Sequence, residues 1–321
     1  MKEYIGHPSQ IYGVEEMRLV GGKGDGMRLL QVRNGNGLEF VVSADRAADI
    51  SRLSFKGYNF GYFAPCGYVS PKYYDKEGVG FLRSFTAGFL TTCGLSSVGN
   101  PCVDDGEALP LHGTLSHIPA ESVCYGEDGD MIIVKAKIRD AALFDKGYLL
   151  EREYKIPIGG NKLILTDKIT NIGYTDAPLQ MLYHFNVGYP LLCEDTQLTV
   201  PSQTVEPRNA HAADGIDKCL EMEKPQREYE EMCFYHKMTG EAEISVYNPR
   251  IKKGFVMSYD TAELPYFTEW KMMGERDYVL GVEPCNAYPD GRDVMRQKGM
   301  LEILKAGQSK IHTITFAFTE G

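Results

Sequence analysis

The chain predicts an all-β fold, a large antiparallel sandwich or barrel, on three observations. Apolar and polar residues alternate with period two in many short runs. Turn residues separate those runs at short intervals. Between them lies no amphipathic stretch long enough to serve as the crossover helix that a parallel sheet requires. In chain order the first element is a hairpin, "MRLLQVR" (27–33) meeting "LEFVVSAD" (38–45) across "NGNG", because Asn-Gly pairs accept the positive φ angles of tight turns. Further strands are read at 131–138, 148–156, 162–170, 179–187, 243–248, 278–283, 300–306 and 311–318. "IGGNK" and "NIG" keep the strands around them consecutive and antiparallel. "GGKGDG" (21–26) is a turn rather than a phosphate loop, since its lysine is followed by Gly24 and not by Ser or Thr. The charged, poorly alternating segment 207–233 reads as a surface loop or a short helical excursion.

No repeat and no low-complexity linker divides the 321 residues, so 1–321 is read as a single domain. A net charge of -10 disfavours nucleic acid and anionic membrane as partners and leaves a small neutral ligand. With no signal-like leader and no long apolar run, a cytoplasmic protein is expected. The eight cysteines form no CxxC pair and no cluster with histidine, and read as small buried residues in a reducing compartment.

In "QMLYHFNVGYPLL" (180–192) a histidine interrupts an apolar run. Alternation puts Leu179, Met181, Tyr183, Phe185 and Val187 on one face of the strand and Gln180, Leu182, His184 and Asn186 on the other. His184 alone reads as a satisfied core histidine. With Gln180 and Asn186 beside it, the face reads as the wall of a polar ligand site, because each of these side chains needs a partner if buried.

Glu283, in "VLGVEPCNAYPDGRD", ends an apolar strand before Pro284, and is either a general base in a cleft or a rim carboxylate in a salt bridge. In the first case its apolar surroundings would disfavour its charge and a cationic partner would restore it. In "LPLHGTLSHIPA", His112 next to Gly113 is a site candidate and His117 a structural residue. Arg83 lies among apolar neighbours in "GFLRSFTAG" and either snorkels to the surface or donates to a ligand or carboxylate. For Arg46 and Asp49 in "SADRAADI" an internal salt bridge is the first reading and a substrate contact the second. Trp270, the only tryptophan, is either core or a face for a sugar ring. His7, His211, His236 and His312 have no supporting neighbours.

Taken in order, "GLEFVVSADRAADI", "LHGTLSHIPA", "LYHFNVGYPLL" and "YVLGVEPCNAYPDGRD" resemble the galactose mutarotase-like superfamily, and within it the aldose 1-epimerase-related proteins of the DUF4432 type. That resemblance implies an antiparallel β-supersandwich with a sugar cleft on one sheet. It assigns the acid to His184 and the base to Glu283, and a sugar-holding role to Arg83 and His112. Asn186, Trp270, Arg46 and Asp49 join the substrate-binding set from local context. Where many relatives carry an arginine soon after the "HG" pair, this chain has Thr114 and Leu115.

The chemistry expected is opening and reclosing of a sugar hemiacetal, with Glu283 taking the anomeric proton while protonated His184 gives one to the ring oxygen. Opposite charges on the two groups would favour each other. No metal or other cofactor is called for, and a monomer or homodimer is expected. Two other readings stand beside this one: a carbohydrate-binding or sensing protein without turnover, and an isomerase or lyase acting at another sugar carbon.

Overall fold

A computed structural model describes residues 3–321. Three antiparallel sheets account for most of the chain. Five strands between Tyr12 and Asn59 form the first, which contains the expected hairpin as Arg28–Asn34 paired with Leu38–Ser43. An eight-stranded sheet takes in Met131–Ala141, Gly147–Pro157, Lys162–Asn171, Glu241–Asn248 and the long strand Ser309–Glu320. The third sheet holds Met232–Lys237, Tyr266–Met273, Tyr278–Cys285 and Ala177–Val187, with Leu90–Leu95 paired to the last of these.

Each strand read from the sequence has its counterpart, usually within two residues, because strands with one apolar face declare themselves by alternation. Several were not read. Leu90–Leu95 ("LTTCGL") is buried at every position, so it shows no alternation. Tyr266–Met273 buries Glu269 and Lys271 on its core side, which inverts the polarity pattern there. The segment 207–233 contains a five-residue helix, Ala210–Asp214, capped by Asn209. Pro284 does not end its strand, which runs on to Cys285 opposite Tyr266.

The main core lies between the sheets and draws on residues from Leu30 to Phe318, among them Leu179, Met181, Tyr183, Phe185 and Val187. These are the five residues that alternation placed on one face of the 177–187 strand. That strand is buried along its whole length, so its second face is covered as well. Beneath it runs a buried ionic network. Arg152 donates from Nε and Nη2 to the two carboxylate oxygens of Asp167, at 2.8 and 2.7 Å, and from Nη1 to Asp49 at 2.6 Å. Tyr183 donates to the same Asp167, at 3.0 Å. No helix among the described residues is long and apolar enough to cross a membrane.

Candidate active site

The second face of Ala177–Val187 carries Gln180, Leu182, His184 and Asn186. On one side His184 lies opposite Thr91 of Leu90–Leu95. On the other side, cross-strand pairs join Leu182 to Cys285 and Phe185 to Val282 but skip Tyr183–His184 against Glu283–Pro284, where Pro284 has no N–H to donate. The register is unchanged across the gap, and Glu283 and His184 rise from the same face. Thr268 is paired with Glu283, and Trp270 with Gly281 on one side and Cys233 on the other. The sheet thus presents Thr91, His184, Glu283 and Thr268 in one row, and Asn186, Gly281, Trp270 and Cys233 in the next.

His184 Nε2 is 3.2 Å from Glu283 Oε1, and both side chains are almost wholly buried. The imidazole sits in an aromatic box, its ring centroid 5.3 Å from Phe85, 5.7 Å from His112 and 5.2 Å from Trp270. His112 reaches it from a turn with φ +59°, its own ring 5.3 Å from Phe81. Trp270 is held by its indole N–H, which donates to Glu231 Oε2 at 2.7 Å. Asn186 turns its amide N–H onto the His184 carbonyl at 2.8 Å. Among the described residues, His184 Nδ1, His112 Nδ1 and Asn186 Oδ1 are buried without a hydrogen-bond partner, and Glu283 Oε1 has none besides its 3.2 Å approach to His184 Nε2.

Burial governs the charges. Loss of solvent pushes His184 well below the usual histidine range, and His112 adds to the effect. Loss of solvent also pushes Glu283 well above the usual carboxylate range; Glu231 pushes the same way and Arg208 opposes it. His112 is lowered to about 4, again mainly by burial. These shifts run against the expectation that opposite charges keep His184 protonated and Glu283 ionised, since burial favours the neutral form of each. Among the described residues no cation donates a hydrogen bond to Glu283, so burial is left to favour the neutral form of both groups.

The structure brings together His184, Glu283, His112, Asn186 and Trp270. It does not bring in the other three candidates. Arg83 lies on a 3-10 turn, Gly80–Arg83, with its side chain 79% exposed and paired to Asp75 at 2.8 Å. A cation there keeps its hydration, which is why an arginine amid apolar letters can still face water. Asp49 points into the core, accepting from Arg152, from the Thr92 hydroxyl at 2.6 Å and from the Thr92 N–H at 2.8 Å. Arg46 is spent on the Val69 carbonyl at 3.0 Å and on His117 Nε2 at 3.1 Å. His117 also meets Ser84 and stacks on Tyr74, as a structural residue does.

Sequence reasoning missed Phe81 and Phe85, the two aromatics flanking the arginine it singled out, as well as Arg208 and Glu231. The last two stand at either end of the charged segment, and nothing local distinguishes them from its other charges. Arg208 is seated by Asn100 Oδ1 at 3.0 Å and the Pro289 carbonyl at 3.1 Å. His112 hangs from the same Gly99–Asn100 corner through its N–H. Among the described residues no three His, Cys, Asp or Glu side chains form a group able to hold a metal ion. A wide surface groove of about 1170 Å³, lined in part by Phe144, Lys146, Tyr174 and Arg292, includes none of the residues around His184.

Solved structures share this architecture. A protein described as a "putative aldose 1-epimerase" from Klebsiella pneumoniae superposes with a TM-score of 0.91 at 25% identity, over 96% of this chain and 84% of that one. A galactose mutarotase-like protein from Clostridium acetobutylicum gives 0.67 at 13% identity, over 97% and 100% of the two chains. Galactose 1-epimerase from Lactobacillus acidophilus gives 0.65 at 13% identity, over 97% and 99%. No curated protein matches the chain in sequence. The fold is thus galactose mutarotase-like, and a family model for a domain of unknown function, DUF4432, matches residues 24–318: the chain belongs to the DUF4432 family.

Proposed function

We propose that the protein is a cofactor-independent aldose 1-epimerase, an isomerase that interconverts the anomers of a free aldose or close derivative. The observation that carries this reading is the His184–Glu283 pair, an imidazole and a carboxyl 3.2 Å apart in a buried site. Beside it His112 Nδ1 and Asn186 Oδ1, and within it His184 Nδ1, are buried without a partner among the described residues. Finished folds leave few such atoms, so three of them in and beside one pair suit a ligand rich in hydroxyl groups.

The chemistry follows from the protons the pair holds. A neutral imidazole beside a carboxylic acid carries the same number of protons as an imidazolium beside a carboxylate. Transfer of the Glu283 proton to His184 Nε2 therefore creates the acid and the base without drawing on solvent. Glu283 then takes the proton of the anomeric hydroxyl while His184 gives one to the ring oxygen, and the C–O bond of the hemiacetal opens. After the aldehyde turns, the same two transfers in reverse close the ring on its other face. His112 and Asn186 are hydroxyl partners in this reading, and Trp270 offers an apolar wall.

Anomer exchange followed by NMR across a panel of aldoses tests the proposal. Acceleration that falls by about a hundredfold or more in Glu283→Gln and His184→Asn is expected. Saturable sugar binding without exchange would replace the reading with a non-catalytic binding protein, and a product altered at another carbon would replace it with a different isomerase or a lyase.

A further inference from the structure

Glu283 reaches His184 by lying back along its own strand, over the residue two positions earlier. That residue is Gly281. A methyl group built on Gly281 would collide with Glu283 Oε1, and would stand 3.1 Å from Glu283 Cδ and 2.9 Å from the Cβ of Trp270. Side chains at i and i+2 share one face of a strand, so the space a Cβ would fill at 281 is the space the carboxyl occupies. Gly281 has an ordinary extended backbone, with cross-strand partners Trp270 and Asn186, so glycine is not required there by a turn or a positive φ. An interior strand glycine costs stability and contributes no packing.

We infer that Gly281 is a positioning residue for the site: its missing side chain is the berth in which the Glu283 carboxyl lies against His184 and beside Trp270. The inference rests on the proposed acid–base role of Glu283 for its consequence in activity, and on geometry alone for its consequence in structure.

The test is a double-mutant cycle of Gly281→Ala with Glu283→Ala, read in three ways. In thermal melting, Gly281→Ala is expected to lower the midpoint in both backgrounds, because the added methyl also crowds the Trp270 Cβ, but by clearly less where Glu283 is alanine, because the colliding carboxyl is then gone. Failure of the single variant to fold while the double variant folds is the same result in stronger form. In NMR of the His184 ring, Gly281→Ala is expected to shift the resonances in the direction that Glu283→Ala does, since both take the carboxyl away. In anomer exchange, Gly281→Ala is expected to lose about a hundredfold or more in kcat, with no further loss when added to Glu283→Ala.

Equal destabilisation in the two backgrounds, or a His184 signal unchanged in Gly281→Ala, overturns the inference. Wild-type protein that exchanges no anomers, together with the expected melting and NMR results, overturns the epimerase reading and leaves the berth standing.

Discussion

At the scale of single residues, the proton inventory of one pair sets the pH behaviour. Burial holds His184 below its ordinary range and Glu283 above its own. As pH falls, activity is lost only when the pair gains a third proton on His184, below the ordinary histidine value of about 6.5. As pH rises, activity is lost when Glu283 gives up its proton, above the ordinary carboxylate value of about 4.3. The expected profile of kcat/KM is thus a plateau whose acid limb lies below pH 6.5 and whose two limbs belong to the pair as a unit, and an acid limb centred at or above pH 6.5 would contradict it. Arg83 makes the opposite kind of prediction. Its side chain is exposed and its partner is Asp75, so Arg83→Ala should leave kcat/KM within about twofold of wild type, as expected of a surface ion pair. The sequence marked Arg83 by its apolar surroundings, yet those letters belong to Phe81 and Phe85, which turn inward beneath it. His184 was legible because two more polar side chains share its face. Arg208 was not, because its place is fixed by Asn100 and Pro289, about a hundred positions away in one direction and eighty in the other.

At the scale of elements, strands that face water on one side were readable and those buried on both sides were not. Met131–Ala141 alternates almost without fault, whereas Leu90–Leu95 is buried throughout and its sequence is a mixture of Thr, Cys, Gly and Leu. The proline after Glu283 suggests an end, but the strand absorbs it at the cost of one interruption in the ladder with Ala177–Val187. Tyr266–Met273 concealed a second histidine–carboxylate contact. Glu269, opposite in face to Trp270, meets His236 Nε2 at 3.0 Å inside the core, and Ser202 meets His236 Nδ1 at 2.7 Å. No neighbour in sequence foretold a partner for His236, since Glu269 comes to it only when two strands align. The sheet therefore buries one histidine–carboxyl pair on each of its faces, and among the described residues only the one under Trp270 leaves a ring nitrogen of its histidine unpaired.

At the scale of the whole molecule, the Arg152 network ties three regions together: Asp49 from the first sheet, Asp167 from the second, and Thr92 beside the site strand. Removing one member of a buried ionic group strands the charges of the others. Arg152→Met should cost about 3–5 kcal/mol in urea unfolding, with an unchanged slope, while a loss under 1 kcal/mol would mean that Asp49 and Asp167 are relieved some other way. The sequence suggested a salt bridge internal to "SADRAADI", but Asp49 pairs with Arg152 and Arg46 with neither aspartate, for Arg152 lies in a strand whose alternation gave no sign that one of its inward positions is charged. Ala177–Val187 carries the hydrocarbon interior on one side and the imidazole on the other, and both are almost wholly buried. Such a strand cannot loosen for one purpose and stay tight for the other. Whatever force frays the centre of this protein must also dissolve its reactive pair, so heat or denaturant would silence the chemistry and melt the architecture as a single event.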